Sequence, residues 1–302
     1  MTADRPLLGI LLMIGFCAVA PMGDSIAKLL GETVPLIQLL AVRFAAQVVF
    51  LFPIIWWSGT RLAMSPRAMR LTVLRTILQI IGIGAMFLSL RYLPLADAVA
   101  IAFVMPFIML ALGKFFLGEA VGPRRLTACT VGFAGTLLVV QPSFATVGAP
   151  AFLPLLVAVT FAAYMLVTRQ IAREADPLAL QAVSGLFATV GLAVLLLANV
   201  GLDLPALKLV RPDLREALLL IGAGFLGTFA HLLMTWSLRF APSTTVAPIQ
   251  YLEIPFATAI GWLVFRDLPN GLAAIGIAIT MAAGLYIVFR ERAQSKPLPA
   301  QV

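Results

Sequence analysis

Four ionisable residues stand inside apolar stretches of this chain, and their types suit proton transfer and the holding of a charged solute. Glu253 lies in VAPIQYLEIPF (246–256), with Pro248 and Pro255 close by. His231, the sole histidine, shares a helical face with Gly224, Gly227, Thr228 and Thr235. Asp24 follows Pro21 and Gly23 and precedes Lys28 by four residues; Arg43 sits in the next apolar run. A carboxyl exchanges protons or holds a cation, and a histidine relays protons near neutral pH. A guanidinium grips a carboxylate or phosphate through two parallel bonds. In hydrocarbon each such group costs about 2.5–3.5 kcal/mol on insertion scales, so each is a functional candidate. The competing roles are structural: a permanently protonated Glu253 bonded to a neighbouring helix, a packing His231, and an Asp24–Arg43 pair that bridges helices or forms an outer gate.

The elements that position these groups are helices with breaks. Pro248 and Pro255 each remove a backbone N–H and disfavour the carbonyls four residues back, at Thr244 and Tyr251. Bare carbonyls at membrane depth are tolerated where they line a cavity. Glu253 is therefore expected to face such a cavity, with Gln250 on the same helical face and Tyr251 offering a ring and a hydroxyl. Pro21 is expected to kink the first helix. At 1.5 Å per residue, Glu253 and His231 lie roughly 15 and 12 Å from one membrane face, and Asp24 and Arg43 about 9 and 12 Å from the other. Weaker pathway candidates are Gln79 on a face with Gly82, Met86 and Ser89, Tyr164 between Thr160 and Thr168, and Gln181 with Ser184. Phe103, Trp236, Tyr164 and Tyr251 offer rings for stacking on a flat solute. Polar and small residues at such positions also serve as interhelical glue. Lys28 is expected to snorkel to the surface, and Arg75, Arg91, Asp97, Lys114 and Arg239 to act as anchors near span ends.

Composition fixes the solvent. The 302 residues are 62% hydrophobic and 11% charged, against about 25% charged in soluble domains. The pattern is that of an all-α integral membrane protein. The net charge of +8 sits in short loops rather than a patch, which excludes nucleic acid as a partner. Apolar runs long enough to span occur near 7–30, 35–57, 71–92, 95–118, 124–141, 150–171, 178–201, 214–238, 243–265 and 270–289. Of the 21 Lys and Arg, 14 fall on the side that carries the N-terminus. That excess predicts both termini in the cytoplasm. Cys17 and Cys129 read as small buried side chains. No phosphate loop, zinc-protease helix or nucleophile elbow is present, so neither a cofactor nor a metal is expected, and an intramembrane enzyme is the least favoured class.

Sliding the chain by 148 positions sets SLRYLP (89–94) on SLRFAP (237–242), Phe103 on Tyr251, Gly113 on Gly261 and Glu119 on Asp267. Five spans per half is odd, so the halves point in opposite directions, a plan of secondary transporters. The expected units are 1–142, an inverted 149–290, and a disordered tail at 291–302. Gly132, Gly135 and Gly284 are expected to pack the last span of each half. LSLRYLPLADAVAIAFVMPFIMLALGKFFLGEA (88–120) and WSLRFAPSTTVAPIQYLEIPFATAIGWLVFRDLP (236–269) make the chain resemble the drug/metabolite transporter superfamily, in its EamA group. The Leu117-Gly118-Glu119 turn matches that family; Phe265-Arg266-Asp267 departs from it. The resemblance implies a ten-span transporter; two similar inverted halves suit alternating access, and alanine-rich helices with arginine-rich loops suggest a bacterial inner membrane. LPLADA (93–98) is similar to a subgroup importing riboflavin or S-adenosylmethionine. The implied partners are a small-molecule solute, lipid and protons as coupling ion, with a homodimer also compatible. An uncoupled facilitator and an exporter of amino acids or amines are the alternatives.

Overall fold

A computed structural model describes residues 5–140, 148–199, 207–266 and 271–294. Regular structure among them is entirely helical. Helices α1 (Pro6–Leu30), α2 (Leu36–Ser58), α3 (Pro66–Ser89), α4 (Leu95–Ala102), α5 (Met105–Leu117) and α6 (Pro123–Val140) form the first half. A 3₁₀ turn, Ala149–Phe152, leads into α7 (Leu153–Ile171), followed by α8 (Pro177–Ala198) and α9 (Leu214–Phe240). One α-turn, α10 (Ser243–Val246), and a 3₁₀ segment, Ala247–Leu252, precede α11 (Glu253–Phe265) and α12 (Gly271–Gln294). Helices α1, α2, α3, α7, α8 and α9 are each long and apolar enough to cross a membrane.

Helix starts follow local chemistry. Ser65 accepts a hydrogen bond from the Ala68 amide at 3.1 Å, with Pro66 in the first turn. Asp176 does the same for Leu178 ahead of Pro177. Asp213 and Glu216 form a reciprocal capping box on α9. The Ser-Pro start sets α3 five residues earlier than hydropathy alone suggested. Arg75 then lies about 14 Å along the helix rather than at its end, which corrects its reading as an anchor. Helix α12 continues through residues 291–294, assigned above to the tail; positions 295–302 and Asp267 lie outside the described residues, and so does the side chain of Asp97.

The two stretches expected as continuous spans at 95–118 and 243–265 are both interrupted. The first breaks at Phe103–Val104, between α4 and α5, and the second at the 3₁₀ segment. These breaks fall at the same place in the 148-residue repeat, and they touch. The Phe103 and Tyr251 rings lie 5.3 Å apart, and the Tyr251 hydroxyl donates to the Phe103 carbonyl at 3.4 Å. Gly132 of α6 makes room for this: a Cβ there would sit 2.6 Å from the Tyr251 ring. Gly284 of α12 makes similar room for Leu252. Helix α1 stays continuous through Pro21.

The bundle has two ends. At the Pro6 side, the Arg5 amide donates to Phe240, Arg67 pairs with Glu174, and Arg239 lies 3.8 Å from Asp176. At the Leu30 side, Lys28 donates to the Leu93 carbonyl and sits over the Phe265 ring, Arg91 donates to Val34, and Gln38 exchanges two bonds with the Val210 backbone.

Candidate functional site

A cleft of about 750 Å³, its open mouth included, runs from the middle of the bundle toward the Leu30 side. Both halves of the chain build it. Its polar groups are Asp24 of α1, Arg43 of α2, His231 of α9 and Glu253 of α11; its apolar wall includes Phe16, Phe87, Phe103 and Phe161. The four ionisable residues singled out by sequence thus come together at one place.

Arg43 is buried and its guanidinium reaches His231, with Nη2 3.2 Å from Nδ1. Asp24 and Arg43, which could form a gate, a site or a structural pair, both line the cleft, and no ion pair of 4.0 Å or less joins them. The guanidinium instead occupies the space over Gly227. A Cβ at Gly227 would lie 2.7 Å from both Nε and Nη2 of Arg43. His231 Nδ1 is also 2.9 Å from the Gly227 carbonyl. One ring nitrogen cannot donate to that carbonyl and accept from Arg43 at once, so the tautomer selects between the two bonds. Arg43 Nη1 and His231 Nε2 have no hydrogen-bond partner among the described residues. These are two buried polar atoms at a cleft wall, and a solute or water would satisfy them. Phe16, Phe161 and Tyr164 hold the imidazole at centroid distances of 6.2, 5.9 and 5.9 Å.

Glu253 is the first residue of α11. The prolines act differently from each other. Pro248 opens the 3₁₀ segment, whereas Pro255 sits in the first turn of α11, where its missing N–H would have had no intrahelical partner. The change from 3₁₀ to α geometry therefore falls at Glu253, whose amide still donates to the Gln250 and Tyr251 carbonyls. The carbonyls of Ile249 and Gln250 lie 3.8 and 3.9 Å from the Cys17 sulfur.

Other candidates are placed elsewhere. Gln250 is buried against Met165, its Nε2 2.9 Å from the sulfur, and does not line the cleft. Tyr251 is spent on packing Phe103 and Gly132. Trp236 is half-buried on an apolar cluster of Leu51, Ile55, Ala182 and Leu232. Gln79 is buried outside the cleft wall with both amide atoms unpartnered. Tyr164 lies under the cleft and joins His231 to Arg75. Two residues escaped sequence reasoning. The first is Arg75, whose signal was the Ser65-Pro66 helix start. The second is Gly227, noted only as part of a small face.

An all-helical bundle with membrane-crossing helices and a charged central cleft is an architecture that transporters use. The chain matches the EamA-like transporter family over residues 7–141 and again over 149–290, and it belongs to that family. It is therefore a multi-pass membrane transporter and not an enzyme. It is 33% identical to a riboflavin transporter of Rhizobium johnstonii over 74% of this chain and 72% of that protein. It is 22% identical to an S-adenosylmethionine uptake transporter of Rickettsia prowazekii over 90% and 89% of the two chains. It is also 25% identical to a pseudopaline exporter of Pseudomonas aeruginosa over 95% and 96%. A solved crystal structure shares the fold, with a TM-score of 0.70 at 18% identity, covering 96% of this chain and 98% of that one.

Proposed function

We propose that this protein is a secondary active transporter of the bacterial inner membrane. Ten spans, arranged as two inverted halves at 1–142 and 149–290 with both termini cytoplasmic, carry a small organic metabolite by alternating access. Asp24, Arg43, His231 and Glu253 bind the solute, and Glu253 takes up and releases the coupling proton. One observation carries this reading: two carboxyls, a guanidinium and an imidazole, drawn from both halves, share a cleft walled by phenylalanines. Rings stack on a planar solute, and the opposite charges suit a polar or zwitterionic periphery. Riboflavin and S-adenosylmethionine, named for relatives of this chain, both meet that description.

The test is thermal stabilisation of the purified protein by each compound. A ligand at a hundred times its dissociation constant adds about 2.7 kcal/mol. The expected result is stabilisation by one of the two, weakened by Glu253→Gln. A stable protein that ignores both compounds would overturn the substrate assignment. A second reading is an uncoupled facilitator or an exporter of amino acids or amines, and the mixed charges of the cleft favour it, since an amino group and a carboxylate would each find a partner. Solute flux in proteoliposomes that ignores an uncoupler would select it.

A further inference from the structure

On the Pro6 side of the cleft lies a second buried guanidinium, outside the binding residues named so far. Arg75 has no exposed surface. Its Nε donates to Thr168 at 2.9 Å and its Nη1 to Ser184 at 2.6 Å. Its Nη2 faces the Tyr164 hydroxyl at 2.7 Å, Gln181 Oε1 at 2.8 Å and Thr235 Oγ1 at 3.2 Å. We propose that Arg75 is the gate residue of the transport cycle, closing the Pro6 side while the cleft faces the Leu30 side. The inference rests on the transport reading of that cleft.

Three features carry it. Arg75 belongs to α3, Tyr164 and Thr168 to α7, Gln181 and Ser184 to α8, and Thr235 to α9. One side chain therefore ties four helices, and no path to the Pro6 side opens between them while those bonds persist. Next, every acceptor is a hydroxyl or an amide. A buried carboxylate partner would resist separation, because parting buried opposite charges strands both. Neutral acceptors can be exchanged for water as the helices part, so this contact is suited to repeated opening. Finally, the gate touches the binding site. The Arg75 Cζ lies over the Tyr164 ring, 4.7 Å from its centre, and Tyr164 also packs against His231, which meets Arg43. A solute that repositions Arg43 or His231 presses on the ring that holds the gate.

The alternative is that Arg75 is a static stitch. Gln79 separates the two. It lies one turn from Arg75 on α3, makes none of its bonds, and is buried with its amide unpartnered. The test is thiol labelling in proteoliposomes with an impermeant reagent on one side, in a chain carrying Cys17→Ala and Cys129→Ala. Gln79→Cys reports on the closed side and Ala20→Cys on the cleft. Arg75→Ala is expected to raise labelling at position 79 from the Pro6 side tenfold or more and to lower labelling at position 20 from the Leu30 side. Arg75→Lys should fall between, and Ser184→Ala or Tyr164→Phe, which remove one bond each, should give two- to threefold increases. If Arg75→Ala fails to fold, the single-bond variants carry the test. Unchanged labelling across the series in monodisperse protein would overturn the gate, and so would a rise at both positions from both sides, which marks general loosening. No solute enters the measurement, so its failure is separate from failure of the substrate assignment.

Discussion

A methyl group at position 227 would decide where Arg43 sits. The Cβ of Gly227→Ala falls 2.7 Å from the guanidinium, and the long side chain is the part that yields. Overpacking a tight site costs about 1–3 kcal/mol, and a flexible tip relaxes to the lower end. The expected outcome is a small fall in thermal stability with at least a tenfold loss of solute affinity, measured as the ligand-induced shift in melting temperature. Equal affinity in the variant would show that Arg43 does not hold the solute. Glu253, His231, Asp24 and Arg43 were legible in the sequence because an ionisable group in hydrocarbon has few reasons to exist. Gln250, Tyr251 and Trp236 stand away from the cleft wall: a polar or aromatic side chain says that an interface is near, but not which way it points.

At the scale of elements, the same turn occurs twice with unequal chemistry. Gly118 ends α5 at φ 64°, and Arg266, at the equivalent place 148 residues later, ends α11 at φ 61°. Arg266 is the only non-glycine with positive φ among the described residues. A side chain in that left-handed region costs roughly 1–2 kcal/mol. Arg266→Gly is therefore expected to raise stability by about 1 kcal/mol without altering ligand affinity, which a thermal melt with and without solute checks. The departure from the Leu-Gly-Glu pattern was visible in sequence, although its backbone consequence was not. The breaks in the stretches 95–118 and 243–265 were half legible. Pro248 announced one break, but the break at Phe103–Val104 precedes Pro106, which fits a helix first turn and so carries no clear sign by itself. Only the repeat, which sets Phe103 on Tyr251, ties the two breaks together. The early start of α3 was readable from Ser65 and Pro66, yet hydropathy masked it because Arg67 and Arg70 follow.

At the scale of the whole molecule, the Pro6 side is closed in two layers that meet on α7. Thr168 accepts from Arg75, while Arg169, the next residue, lies 3.5 Å from Glu119. The Glu119 carboxylate also accepts from the Ser243 and Thr244 amides at 3.2 and 3.0 Å and from the Ser243 hydroxyl at 2.6 Å. It thus caps the turn that begins the broken span carrying Glu253, and it joins the end of α5 in the first half to the second half. Any motion that parts the halves on this side must break those bonds and remake them on return. Glu119→Gln keeps the shape but replaces one acceptor oxygen with a donor that faces amide N–H groups, leaving a partly buried bond unmade at about 1–3 kcal/mol. Solute binding should survive, since Glu119 lies outside the cleft. Flux through proteoliposomes should fall tenfold or more as the closed state loses its outer layer. The measurement pairs the ligand-induced thermal shift with the initial rate of flux. Loss of both would assign Glu119 to folding alone, whereas retained binding with lost flux would assign it to the cycle that moves the solute.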